Sequence, residues 1–380
     1  MTWAPWRALS EVAKIEFGER VTRRLHGGTK FPVFGGGGET FRIDRWNREN
    51  CMIVSRFGMS ATCVRRVTGR FFLNDSGLSV HVRPETGLLQ PFLDQYLVSM
   101  QPEIFAMGTG AAQKNLDSRQ FQEMLVPVPS LAEQQRIVAK LDEVDADVRT
   151  LSDRLDAELL RSAQVRLSVM NEVFLRGPGR ETQEGSLITR GWPPVRLASV
   201  VSLDALTATP NDLSDDDLYI GLENIGPNGE LIGLGDVRAT SLRSTKNRFT
   251  SNDVLFGKLR PYLTKVARPT GAGVCSTDIL VLRPSDALDR DYLYWWLRSP
   301  TVIEDATARS TGATLPRISP STLGEFEIPV PPLAGQQRIV AKLDEVQSAC
   351  AEVSANIERR KAKAGELRQS VLAGAFRGEL

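Results

Sequence analysis

Residues 127–144 read PVPSLAEQQRIVAKLDEV, and residues 329–346 read PVPPLAGQQRIVAKLDEV. The two stretches stand 202 residues apart and differ only at Ser130/Pro332 and Glu133/Gly335. The same offset aligns Thr109-Gly110-Ala111 with Thr311-Gly312-Ala313, Ser168-Val169 with Ser370-Val371, and Phe174 with Phe376. A repeat of this length at one fixed offset marks a duplicated structural unit, and it organises the rest of the chain.

Each copy opens on a stiff Pro-x-Pro stretch and then enters a helix. In the first copy Ser130 and Glu133 have the spacing of a capping box, whose glutamate is replaced by Gly335 in the second. Apolar residues follow at Ile137, Leu141, Val144, Val148, Leu151 and Leu155, alternating steps of four and three. Ile339, Leu343, Val346, Cys350, Val353 and Ile357 repeat the pattern, which is a heptad seam. Beyond Leu155 the seam shifts, as a stutter, to Leu159, Ala163, Leu167, Met170 and Phe174. A helix over 132–175 would be about 65 Å long at ~1.5 Å per residue. A narrow apolar stripe on so long a helix must be buried, and the matched copy is its natural partner. An antiparallel pair with pseudo-two-fold symmetry is expected, although heptad helices also serve oligomerisation.

The chain thus reads as a domain at 1–126, a long helix at 127–176, a polar linker at 177–189, a second domain at 190–327 and a second helix at 328–380. Gly177-Pro178-Gly179 stops the first helix. The fold class is α+β: two mixed strand-rich domains separated by a two-helix coiled coil. In the first domain, strands are expected near Phe31–Phe34, Met52–Ser55, Thr62–Arg66, Arg70–Leu73 and Leu78–Val82, with a helix over Leu89–Met100. In the second they are expected at Leu218–Gly221, Val254–Phe256, Thr264–Ala267 and Ile279–Leu282, with a helix over Tyr292–Arg298.

Composition is that of a globular protein, 41% apolar and 24% charged. Four scattered cysteines, Cys51, Cys63, Cys275 and Cys350, form no CxxC pair and suit a reducing cytoplasm. No run of about 18 apolar residues predicts a membrane helix, and the first residues have no apolar signal core. Residues 1–126 carry 16 Lys/Arg against 12 Asp/Glu, a net of +4, and residues 190–327 carry 15 against 17, a net of −2. A protein gripping phosphates alone would be more basic. The balance suits one that reads bases while a partner supplies backbone contacts.

QQRIVAKLDEV after Pro-Val-Pro, present twice, resembles the conserved regions of type I restriction–modification specificity subunits. So do YIGLENI (219–225), LFGKLRPYLTKV (255–266), STGAT (310–314) and LRQSVLAGAFRGEL (367–380). FPVFGGGGET and VSRFGMS in the first domain look like that family's target-recognition domains, although no first-domain stretch matches YIGLENI or KLRPYL. The resemblance implies a non-catalytic subunit in which each domain reads one half of a split target in double-stranded DNA and the helix pair sets the spacing. It also implies two docked methyltransferase subunits that carry S-adenosylmethionine, with a motor nuclease subunit able to join them. No cofactor and no metal is expected on this chain.

The residues agree with a chain that catalyses nothing. A Pro-Pro-aromatic loop for a flipped adenine is missing, since Trp192-Pro193-Pro194 and Pro331-Pro332-Leu333 have the wrong order, and there is no GxxxxGK[ST] loop. His26 and His81 are far apart and lack metal-ligand spacing. The run Gly35 to Gly38 reads as a flexible turn.

DNA reading calls for Arg and Lys with polar partners. In the second domain Lys258, Arg260, Tyr262 and Lys265 cluster around a turn at Pro261, which otherwise reads as a solvated basic hairpin. Arg309, Thr311, Thr314 and Arg317 lie in a small-residue loop that fits a phosphate contact or a hinge equally well. The matching first-domain loop holds Lys114, and Arg56, Arg65 and Arg66 flank Gly58. Arg20, Arg23 and Arg24 read as a solvated face. Two other readings compete: a scaffold that dimerises through its heptads, and the detached recognition half of a single-chain restriction–methylation enzyme.

Overall fold

The structure is a computed structural model that describes residues 3–110, 113–174, 192–204, 206–214, 217–236 and 244–379. The expected linker 177–189, with its Gly177-Pro178-Gly179 stop, lies outside the described residues. The chain divides into two compact units, Met1–Asp156 with Glu358–Leu380, and Ala157–Ile357. The two long helices are Leu131–Phe174 and Leu333–Arg377, of 44 and 45 residues.

In the first unit the start of the first long helix runs antiparallel to the end of the second. Arg368 grips Asp145 with two bonds of 2.6 and 3.2 Å, and further along the pair Lys361 meets Asp156 at 2.6 Å. In the second unit the remaining halves pair in the same sense. The Cys350 thiol donates to the Ser162 carbonyl at 3.4 Å, and Arg166 donates to Gln347 at 3.1 Å. The heptad positions Ile137, Leu141, Leu155, Ile339, Leu343 and Ile357 are buried, as a seam requires.

Two details of the helices differ from expectation. Ser130 caps the Glu133 amide at 3.3 Å, but the Glu133 carboxylate turns to Arg136 at 2.6 Å rather than back to the cap. The guanidinium offers a charged partner one turn on, and that contact wins. After the stutter Leu167 faces outward, 43% exposed, and Arg166 points inward instead. The one-residue change follows from the phase of the helix beyond Leu155, which carries Met170 and Val173 to the buried side.

The first unit is built on a six-stranded sheet in the order Ala13–Phe17, Gly77–Val82, Arg48–Ser55, Val64–Leu73, Phe31–Phe34, Phe41–Ile43. All neighbours are antiparallel except Phe31–Phe34 against Val64–Leu73. The two strands expected at 62–66 and 70–73 are one strand, Val64–Leu73, carried through Gly69 opposite a bulge at Glu49/Cys51. Helix Gln90–Ser99 packs Phe92, Leu93 and Leu97 onto the sheet and onto Ile137, Leu141, Leu372 and Phe376 of the long helices.

The second unit has a four-stranded sheet, Val201–Ser202, Ile279–Pro284, Val254–Gly257, Val266–Ala267. A five-stranded sheet adjoins it, in the order Thr207–Ala208, Lys246–Phe249, Gly273–Cys275, Leu218–Ile220, Gly235–Asp236. Helix Arg290–Leu297 supplies Tyr292, Leu293 and Trp295 to the core that also takes Met170, Phe174, Ile339 and Leu343.

Each unit is latched to its helices by the same side chain. Gln134 is fully buried; its carbonyl accepts from the Leu89 amide at 2.7 Å and its amide donates to the carbonyls of Gly87 and Pro129 at 3.0 and 2.9 Å. Gln336 repeats this with the Asp289 amide at 2.7 Å and the carbonyls of Ala287 and Pro331 at 2.9 and 2.7 Å. The ring of Phe376 meets Phe92 edge-on at 5.3 Å in the first unit, and Phe174 meets Tyr292 at 5.7 Å in the second.

Candidate nucleic-acid interface

Although the two domains share little sequence, their backbones keep one register over much of their length. Ser55 pairs with Gly77 and Val54 with Val64; 202 residues on, Gly257 pairs with Ile279 and Phe256 with Val266. The Arg56 amide donates to the Ser76 carbonyl at 2.8 Å and the Lys258 amide to Asp278 at 2.9 Å. Phe57 bridges to Asn115, and Leu259 bridges to Arg317. The amides of Leu116 and Ile318 close the same ring on the carbonyls of Arg56 and Lys258 at 2.8 and 3.0 Å. No stretch of the first domain resembles KLRPYL in sequence. In the structure Ser55–Ser60, reading SRFGMS, takes the place of Gly257–Tyr262, reading GKLRPY. Ladder hydrogen bonds fix register without reference to side chains, so the match survives divergence that hides it from the sequence.

In the second unit this frame draws most of the expected residues together. Lys258 and Arg317 both approach the Asp278 carboxylate, at 3.9 and 3.4 Å. Arg260 holds a left-handed backbone, φ +50°, sends Nη2 towards the Thr314 carbonyl at 3.4 Å and leaves its buried Nε without a partner. Thr311 exchanges backbone bonds of 2.9 and 2.8 Å with Arg317, and Tyr262 stands half exposed beside them. Two candidates are engaged away from the loop tip: Lys265 donates to the Ile225 carbonyl, and Arg309, itself exposed, stacks on Phe326 at 4.9 Å.

In the first unit Arg56 lies over the rings of Phe17 and Phe57 at 4.8 and 4.6 Å, and Lys114 lies over Phe105 at 4.1 Å. Both remain on the zipped loop, beside Asn115, whose buried Oδ1 has no partner. Arg65 sits behind it. Its Nη2 donates to the Gly36 carbonyl at 2.7 Å, and its Nη1 to that of Gly37; burial pushes its pKa down. Arg66 points to the other face and pairs with Asp94 at 2.8 Å, a carboxyl whose pKa burial pushes up. The glycine run is therefore anchored rather than loose: a Cβ at Gly36 would lie 2.1 Å from the Phe57 carbonyl oxygen. Among the described residues no cluster of His, Cys, Asp and Glu could hold a metal ion, and no helix is long and apolar enough to cross a membrane.

Known proteins place this architecture. The family model for the type I restriction modification DNA specificity domain matches twice, at residues 5–161 and 224–360. The chain is 23% identical over 400 residues to the type I restriction enzyme EcoDI specificity subunit of Escherichia coli, covering 98% of this chain and 87% of that one. It is 25% identical to the EcoBI specificity subunit of the same species over 73% of this chain and 63% of that one. Among solved structures, a chain of a type I R-M system matches with a TM-score of 0.68 at 20% identity, over 99% of this chain and 98% of that one. The HsdS subunit from Thermoanaerobacter tengcongensis matches with a TM-score of 0.52 at 21% identity, over 100% and 97%. With most of the chain, including the start of both long helices, inside the matched segments, the chain belongs to the type I restriction–modification DNA specificity family.

Proposed function

We propose that this chain is the DNA-recognition subunit of a type I restriction–modification complex and that it catalyses nothing itself. The domain at 1–126 reads one half of a bipartite target and the domain at 190–327 reads the other. The helices at 127–176 and 328–380 set the spacing between the halves and dock two methyltransferase subunits. Those partners hold the S-adenosylmethionine and transfer the methyl group, a motor nuclease subunit can join them, and the complex works in the cytoplasm. One observation carries this reading: two domains of unlike sequence present a basic loop at the same register, Arg56–Gly58 zipped to Asn115 and Lys258–Arg260 zipped to Arg317. A duplicated frame with divergent side chains is what two readers of different half-sites require.

Within the loops, the residues at the base of the frame, Arg56, Lys114, Lys258 and Arg317, suit phosphate contacts, because their backbone setting is common to both domains. Arg260, Tyr262, Thr311 and Thr314 lie at the exposed end, where base edges can be reached. Arg65 and Lys265 support the loops from within, Arg309 packs on Phe326, and Arg66 serves the opposite face through Asp94. The test is methylome sequencing of a host that expresses this chain with its methyltransferase subunit. A split motif with two defined halves is expected. Methylation that persists unchanged when this chain is deleted would refute the proposal.

A further inference from the structure

We infer that residues 18–48 of the first unit are a second DNA-contacting element that discriminates the half-site read by that unit, an inference that rests on the recognition reading above. Outside the shared frame the two domains part company. Between the strand Ala13–Phe17 and the frame, the first domain inserts the hairpin Phe31–Phe34/Phe41–Ile43, whereas the second places there four of the strands of its five-stranded sheet. The shared backbone frame leaves discrimination to whatever differs between the domains: the side chains it carries and, in the first unit, the inserted segment.

The charge of the two insertions is opposite. Residues 18–48 hold seven Lys/Arg and three Asp/Glu, a net of +4 that equals the whole excess of residues 1–126. Residues 203–253 hold four Lys/Arg and nine Asp/Glu. Only the first insertion therefore suits a polyanion. Arg20, Arg23 and Arg24, which read as a mere solvated face in the sequence, belong to it, and Arg23 has no side-chain partner among the described residues. Arg23 and Arg42 line an open pocket with Gly27 and Gly28, and Arg42 is held there by Glu39 at 2.9 Å and the Lys30 carbonyl at 3.1 Å.

The insertion is continuous with the zipped loop. Ser55 Oγ and Arg65 Nη2 both donate to the Gly36 carbonyl, at 2.8 and 2.7 Å, so one end of the glycine run is fixed against the frame. Beyond it the outer face is open: a Cβ added at Gly37 or Gly38 would meet nothing within 4 Å. Nothing within the unit demands glycine at these two exposed positions. A phosphodiester backbone laid against them does, since a side chain would hold it away.

The assembled complex with its methyltransferase subunits provides the test, on duplexes carrying the methylated target. Arg23→Ala with Arg42→Ala should make the slope of log affinity against log salt shallower by about 1.8, at ~0.9 per lost phosphate contact. Gly37→Ala with Gly38→Ala should leave the melting temperature unchanged and still weaken binding, with relaxed sequence preference confined to one half-site. Variants matching the wild type in slope, affinity and motif would overturn the inference, as would relaxation of both halves alike. A wild-type complex that binds all duplexes equally would instead sink the recognition reading itself.

Discussion

Gly58 and Arg260 occupy the same point in the frames of the two domains, with backbone φ of +61° and +50°. The left-handed region is free to glycine and costs other L-residues about 1–2 kcal/mol. The second domain holds an arginine there against that cost, and its Nε is buried without a partner. Substitution at the two sites should therefore differ in sign. Gly58→Ala is expected to destabilise by about 1–2 kcal/mol, whereas Arg260→Gly should be neutral or slightly stabilising while impairing DNA binding. Denaturant melts paired with methylome sequencing check both; an Arg260→Gly protein that is markedly less stable would show that the arginine is structural.

Gln134 and Gln336 each satisfy one amide and two carbonyls that have been withdrawn from water. Removing either side chain strands three backbone groups. Gln134→Ala or Gln336→Ala should cost about 2–4 kcal/mol, and Glu in place of Gln should cost comparably because a carboxylate cannot donate to the two carbonyls. Urea titration would register this as a lower midpoint with little change in slope.

Arg368 and Arg166 are a repeat pair at offset 202, but their acceptors differ. Arg368 meets the carboxylate of Asp145, and Arg166 meets the neutral amides of Gln347 and Asn228 at 3.1 and 2.6 Å. Arg368→Ala should cost about 1–2 kcal/mol, and this cost should shrink at high salt. The cost of Arg166→Ala should be nearly independent of salt. Thermal melts of both variants at 0.05 and 1 M salt would separate the two.

His81 lies beside Ser79 and Glu16, and burial pushes its pKa below the usual 6.5, against the attraction of Glu16. The folded protein thus binds this proton less readily than the unfolded chain. Its contribution to stability is complete above pH 6.5 and falls away as the pH drops through the folded value. His81→Gln should flatten the melting temperature between pH 7 and 5; an unchanged pH profile would assign the acid sensitivity elsewhere.

Of the surface proposed to face DNA, the sequence disclosed the second domain well, because Lys258, Arg260, Tyr262 and the Thr311–Arg317 loop are close in sequence or joined by the repeat. It gave a weaker account of the first domain. Arg65 and Arg66 are adjacent in sequence, yet on a strand they face opposite ways, one to the glycine run and one to Asp94. Chain order alone does not say which face looks outward.

The sequence by itself determined the duplication, the paired heptad helices and the division into two unlike domains, since each is written as a period or an identity that needs only local rules. The tertiary structure alone decided that SRFGMS and GKLRPY are the same loop, that Gln134 and Gln336 are latches, and that Arg166 rather than Leu167 faces the seam. Those facts depend on backbone ladders and burial, which join residues far apart in the chain and constrain geometry while leaving side-chain identity free.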